Sequence, residues 1–158
     1  MMLDFGDDHY VRGIAYSADV FSGTVYSDVV NMKNWHAVSF LINVELGSTG
    51  TSTITVQACD DVVPSNRSAV PFYVQKYTGS DDVPGAVAAV AATGFTTTAG
   101  AAAQLYRIMV DGAQLGASGY GYVQLKAVEV VNDPVAGSVL IIMEEPRNND
   151  AIPASVIV

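Results

Sequence analysis

Through the middle of the chain, hydrophobic and polar residues alternate with a period of two. In Val38-Ser39-Phe40-Leu41-Ile42-Asn43-Val44-Glu45-Leu46 every even position is apolar and most odd positions are polar. That period is the mark of a strand with one buried face. Gly47-Ser48-Thr49-Gly50 interrupts the pattern, and Ser52-Thr53-Ile54-Thr55-Val56-Gln57-Ala58 resumes it. Two such runs joined by a short Gly/Ser/Thr turn predict a β-hairpin. Further strands are predicted over residues 69–77, 105–110, 121–131 and 137–143, and near the start over 11–16 and 20–30. The run Ser138-Val139-Leu140-Ile141-Ile142-Met143 is apolar on both parities. A strand buried on both faces has that pattern, and so does a strand covered by a neighbouring subunit.

Turn residues separate these runs at Pro64-Ser65-Asn66, over 79–85, at Asp111-Gly112 and at Asn132-Asp133-Pro134. Short strands at this spacing predict a sandwich or small barrel. The expected fold is all-β: an antiparallel β-sandwich, Greek-key or jelly-roll-like, with little helix. Alanines permit a short helix over 86–92. Gly94 and Thr96-Thr97-Thr98 oppose its continuation, so 93–97 reads as extended and 99–103 as a loop. The 158 residues fit one domain spanning 1–158, with arms at 1–16 and 148–158. The segment Ala154-Ser155-Val156-Ile157-Val158 is apolar and costly to leave in water. It is expected to add a strand or dock on a partner.

Composition adds a second constraint. Half the residues are hydrophobic and 15% are charged, below the roughly 25% usual in soluble domains. A chain this apolar needs somewhere to hide surface, and a homo-oligomer (dimer or trimer) or a lattice provides it. No run of about 20 apolar residues exists to span a membrane, and the first residues lack a basic stretch followed by an apolar one. A net charge of −9 opposes nucleic-acid binding, which needs clustered Lys and Arg to displace counterions. The lone Cys59 cannot form an intrachain disulfide or a thiolate zinc site and reads as a buried, inert thiol. Asn66-Arg67-Ser68 matches a glycosylation acceptor, which carries no weight without a signal peptide.

No catalytic constellation emerges, so the chain reads as a non-enzymatic protein without cofactor or metal. Gly116-Ala117-Ser118-Gly119-Tyr120-Gly121 fails as a nucleophile elbow because Tyr120 stands where the second glycine belongs. It reads as a turn before a strand. His9 and His36 lie far apart. His36 reads as a packed or rim residue, and His9, beside Asp7 and Asp8, reads equally as a metal ligand or as part of an exposed acidic terminus. The acid pairs Asp7-Asp8, Asp60-Asp61, Asp81-Asp82 and Glu144-Glu145 match no calcium loop and read as a solvated acidic surface, with a joint Ca²⁺ site of loop acids at a subunit contact as the alternative. Eight tyrosines stand out, because tyrosine joins contact area to a polar tip. Candidate interface residues are Phe5, Tyr10, Tyr16, Tyr73, Tyr77, Tyr120, Tyr122 and Ile157.

Five segments, in order, resemble the decoration, cement or head auxiliary proteins of tailed double-stranded DNA phages. They are Val29-Val30-Asn31-Met32-Lys33-Asn34-Trp35-His36 leading into Val38-Ser39-Phe40-Leu41-Ile42; Gly50-Thr51-Ser52-Thr53-Ile54-Thr55-Val56-Gln57-Ala58-Cys59; Val70-Pro71-Phe72-Tyr73-Val74-Gln75-Lys76; Leu105-Tyr106-Arg107-Ile108-Met109-Val110-Asp111; and Gly119-Tyr120-Gly121-Tyr122-Val123-Gln124-Leu125. The order and spacing of these pieces carry the resemblance. It implies a β-rich fold, a place on the exterior of the virion head after synthesis in the host cytoplasm, self-association, and the major capsid protein as partner. It implies no active site. The residues leave other readings open. One is a carbohydrate- or receptor-binding sandwich with Tyr73, Tyr77, Tyr120 and Tyr122 as a stacking platform. Another is a tail tube or connector component.

Overall fold

The structure, a computed structural model, describes residues 9–45, 49–78, 83–99 and 103–147. Its strands are β1 (His9–Ser17), β2 (Thr24–Tyr26), β3 (Val30–Asn31), β4 (Trp35–Val44), β5 (Thr51–Cys59), β6 (Arg67–Val70), β7 (Phe72–Thr78), β8 (Ala88–Val90), β9 (Phe95–Thr96), β10 (Gln104–Asp111), β11 (Tyr122–Val131) and β12 (Gly137–Pro146). One short helix, α1 (Gly112–Gly116), precedes β11. The strands form two antiparallel sheets, ordered β1-β12-β4-β10-β7-β8 and β2-β11-β5-β6, with β3 on β11 and β9 on β5. The all-β antiparallel sandwich expected from the alternation is the fold that forms.

The order has a simple origin. β1 pairs with β12, β2 with β11, β4 with β10 and β5 with β6. The first half of the chain therefore pairs with the second half in reverse, as one long double-stranded ribbon. Rolling that ribbon sends β1, β4, β10 and β12 to one sheet and β2, β5, β6 and β11 to the other. This is the jelly-roll form of the Greek key. β7 and β8, inserted between β6 and β10, widen the first sheet.

One core fills the space between the sheets. The even positions of β4, Val38, Phe40, Ile42 and Val44, face Ile54, Val56 and Ala58 of β5 and Val123, Leu125 and Ala127 of β11 within a single buried cluster. Trp35, Phe40, Phe72 and Tyr106 are its largest fully buried members. Burying each such side chain contributes about 1.5–3 kcal/mol. Phe95 bridges Phe72 and Tyr106, with ring centroids 6.2 and 5.5 Å away. The Tyr106 hydroxyl is satisfied: it donates to Gln104 Oε1 and accepts from the Thr98 N–H at 3.0 Å.

Four local expectations need correction. The predicted hairpin does not form. β4 lies between β12 and β10, and β5 lies in the opposite sheet between β11 and β6. Alternation shows that both strands bury one face, and it is equally met when the two buried faces oppose each other across a core. Gly50 begins the climb to the second sheet, where a Cβ would collide with the Asp133 carbonyl and Val135. The helix permitted over 86–92 is absent. Residues 86–89 are exposed, so a helix there would have no buried stripe, while the edge of β7 offers backbone bonds that β8 takes. The strand predicted over 69–77 is two strands divided at Pro71, which lacks the N–H a continuous ladder requires. The strand predicted over 20–30 is only β2 and the two-residue β3, with Val20 and Phe21 buried in the loop before them.

At Asp111-Gly112 the turn reading misses α1. Asp111 accepts from the Ala113 N–H at 2.8 Å, while Gln114 Oε1 accepts from the Asp111 N–H at 3.2 Å, completing a capping box. The segment 93–97, expected to be extended, contains β9, preceded by a turn at Gly94. The φ of Gly94 is +82°, and a side chain there would meet the Ile54 carbonyl.

Candidate interaction surface

The residues not used by the core define the outer faces, and the two faces differ in chemistry. Across the β1-β12-β4-β10-β7-β8 sheet, the outward positions align in rows. Tyr10, Ile142, Ser39, Met109 and Tyr73 are successive cross-strand partners from β1 to β7. The next row is Arg12, Leu140, Leu41, Arg107 and Gln75. A third runs Ser138, Asn43, Leu105, Tyr77. Eight of these fourteen side chains are apolar or tyrosine, and Tyr10, Tyr73 and Leu140 are 47%, 45% and 37% exposed. Contiguous apolar area on an outer face marks a contact surface more often than scattered single residues do.

Arg107 organises the centre of this face. Its Nε donates to Ser39 Oγ at 3.2 Å, and its Nη2 lies 2.9 Å from Glu144 Oε1. Lying across the strands, it covers Ser39, which is fully buried although it points away from the core. The pair is partly exposed, so its worth is at most about 1 kcal/mol. At the end of the face, His36, Ala37, Tyr73, Met109, Val110, Asp111, Glu144 and Glu145 line a shallow depression of about 350 Å³.

The opposite outer face mixes polar and apolar residues. Thr53, Thr55 and Gln57 of β5 share it with Tyr122, Gln124, Lys126 and Val128 of β11, and Tyr26, Val130 and Val131 of this sheet are 43%, 57% and 42% exposed. Gln124 Nε2 donates to Gln57 Oε1 at 3.0 Å. The Tyr26 ring carries the Arg67 guanidinium 5.4 Å from its centroid and the Lys126 ammonium 5.9 Å away.

The predicted interface residues fall in different places. Tyr10, Tyr73 and Tyr77 share the apolar outer face. Tyr16, near the end of β1, is 68% exposed. Tyr122 lies on β11 in the other sheet, and Tyr120 is half-buried against the core cluster. Of the four tyrosines proposed as a sugar-stacking platform, Tyr73 and Tyr77 lie on one sheet, Tyr122 on the other and Tyr120 in the turn before β11, so they do not form one surface. Phe5 and Ile157 lie outside the described residues, as do Asp7-Asp8 and Asp81-Asp82. Leu41, Leu105, Met109, Leu140 and Ile142 escaped the sequence reading as surface residues. Their signal was the both-parity apolar pattern of β12, which β10 repeats in Leu105, Tyr106, Ile108, Met109 and Val110.

Of the described acids and histidines, His36, Asp111, Glu144 and Glu145 share the depression, and the others lie outside it. Among the described residues no group of three His, Cys, Asp or Glu side chains is placed to hold a metal ion. His9 packs on Trp35 with ring centroids 6.2 Å apart, and His36 is exposed. Cys59 is buried, and desolvation pushes its thiol up to about 11, partly offset by Arg67. Asp60 accepts from the Asn66 backbone at 3.0 Å, the Asn66 side chain at 2.8 Å and the Ser65 backbone at 3.0 Å. These bonds, those of Asn66 first, hold its carboxyl below the ordinary 3.8.

No family model matches the sequence, and no curated protein matches it. Among solved structures, the chain is similar to one from the structure of infectious bursal disease virus, Gx strain, with 12% identity and a TM-score of 0.25. That match covers 86% of this chain and 40% of the viral one. What defines this molecule is its own geometry: a jelly-roll sandwich of two antiparallel sheets around one core.

Proposed function

We propose that this protein is a structural component of a virus particle, seated on the exterior of a tailed-phage head, where it ties capsomers together. The observation that carries the reading is the jelly-roll sandwich, whose first and last strands pair. β1 and β12 are neighbours at one edge of their sheet, with His9 opposite Met143 and Pro146 opposite Trp35. The His9 ring packs on Trp35, and the Arg147 Nε donates to the Trp35 carbonyl at 3.1 Å. β1 thus begins and β12 ends at one corner of the sandwich, beside Trp35. The sequence assigns partner contacts to the arms 1–16 and 148–158, with Phe5 and Ile157.

A rigid sandwich with one shared core suits a clamp between neighbouring capsomers. A ligand that binds only the closed lattice stabilises it by mass action, and many copies on one shell reinforce the effect. The charge of −9 suits the outside of a shell better than contact with packaged DNA. The five segments resembling phage head auxiliary proteins favour this assembly over other β-sandwich roles.

The test is co-sedimentation with expanded, empty heads of the cognate phage, together with their resistance to heat. The intact chain is expected to sediment with heads and raise the temperature at which they rupture. Variants lacking residues 1–8 or 148–158 are expected to lose binding while keeping native circular dichroism. Failure of the intact chain to bind at any ratio would overturn the reading.

A further inference from the structure

We infer that the outer face of the β2-β11-β5-β6 sheet binds an acidic polysaccharide, whose carboxylates are held by Arg67 and Lys126. The inference does not rest on the shell-binding proposal, since it concerns a different ligand.

The first argument is the sign of the charge. The chain has 16 acids against seven Lys and Arg. On this face the balance reverses. Among the described residues paired across the sheet, the outward positions hold Arg67 and Lys126 and no Asp or Glu. Glu129 of β11 has the opposite parity and accepts from the Gly23 N–H at 2.8 Å. Asp60, past the end of β5, is engaged by the N–H groups of Ser65 and Asn66. On the other sheet the outward Arg107 already has Glu144 at 2.9 Å, whereas neither Arg67 nor Lys126 has an ion-pair partner among the described residues.

Convergence is the second argument. β5 lies between β6 and β11, yet cations from both strands reach one ring. The Arg67 guanidinium is 5.4 Å and the Lys126 ammonium 5.9 Å from the centroid of Tyr26 on β2, a ring that is 43% exposed. Contact with a ring quadrupole steadies a cation without neutralising it. Two like charges are therefore held near each other within reach of solvent. A carboxylate shared between them relieves their repulsion, and the planar Arg67 fork matches its two oxygens.

The surroundings choose among anions. Thr55 stands beside Lys126 in register, and Gln57 Oε1 accepts from Gln124 Nε2 at 3.0 Å, so that the Gln57 NH₂ remains a donor. The hydroxyls of Thr53 and Thr96 lie 3.3 Å apart on the same face. Hydroxyls and amides around a charged centre match a ligand that carries its own hydroxyls, as a uronate sugar does. A protein partner would instead favour a charge-poor centre with an aromatic anchor, and here the aromatic ring carries two cations. Nucleic acid would need more clustered cations than a chain of charge −9 supplies. The exposed Val130 and Val131 lie beyond the part of β11 that pairs with β2.

Calorimetric titration of the full chain with oligogalacturonate at low ionic strength tests this, with uncharged dextran oligosaccharides alongside. We expect saturable binding of the uronate that weakens as salt is added, and none of dextran. Arg67→Gln combined with Lys126→Gln is expected to raise the dissociation constant at least about tenfold, with native circular dichroism. Arg12→Gln combined with Lys33→Gln removes the same charge elsewhere and is expected to change it by less than about twofold. If the first pair does not fold, the single variants Arg67→Gln and Lys126→Gln take its place, each weakening binding about threefold or more. No binding of the uronate, equal binding of dextran, or equal weakening by the Arg12 and Lys33 pair would refute the inference. Binding of poly-glutamate in place of the uronate would also refute it and point to an acidic protein. Head binding by a chain that ignores the uronate would overturn this inference alone.

Discussion

Cys59 shows how a single position inherits its chemistry from its surroundings. It ends β5, fully buried, and pairs in register with Tyr122 on β11 and Arg67 on β6. Burial disfavours the thiolate more than Arg67 supports it, so the thiol stays protonated at neutral pH. Alkylation with iodoacetamide at mildly alkaline pH should therefore be slower by at least about a thousandfold in the native protein than in denaturant, because only the rare unfolded fraction reacts. A native rate within tenfold of the denatured one would show that the thiol is open to solvent. Sequence alone supported the buried, inert reading through the alternation around Cys59. It did not show that Arg67 would lie close enough to oppose the burial.

At the scale of elements, the turn from β5 to β6 depends on one carboxylate. Asp60 accepts from the N–H groups of Ser65 and Asn66 and closes the turn with its own N–H on the Asn66 carbonyl at 3.3 Å. Its pKa is lower folded than unfolded. The stabilisation is therefore complete above the ordinary value of 3.8 and is lost as pH falls through the lower folded value. Thermal midpoints followed from neutral to acid pH should fall more steeply in the wild type than in Asp60→Asn. Parallel curves would mean that the carboxylate contributes nothing to the turn. Pro64-Ser65-Asn66 marked this turn in the sequence, but the acid that closes it stands at the end of the preceding strand. The hairpin predicted between β4 and β5 failed for a related reason. Periodicity records that a face is buried and is silent about what buries it.

For the molecule as a whole, the rolled ribbon places one core between both sheets. Phe40 sits at its centre on β4, fully buried. Phe40→Ala should cost about 3–5 kcal/mol. Because the core is shared, the loss should appear as one earlier urea transition, with Trp35 fluorescence and far-ultraviolet circular dichroism coincident. Two separated transitions would show that the sheets unfold independently. The same topology pairs β1 with β12 across most of the chain. Folding should accordingly fall at the slow end for domains of this size, because distant segments must meet before the ladder forms.

Before any coordinate is seen, the two-residue period of the apolar positions specifies strands, their buried faces and hence an all-β sandwich, since each side chain's parity is a local property. Scattered acids and a lone cysteine likewise point away from a local catalytic motif. Which strands meet is decided only in three dimensions. Leu140 and Ile141 are equally apolar neighbours in the sequence, yet Ile141 enters the core and Leu140 faces outward. Only the ribbon's roll, driven by long-range pairing, assigns them to opposite sides and gathers Tyr10, Met109 and Tyr73 into one row.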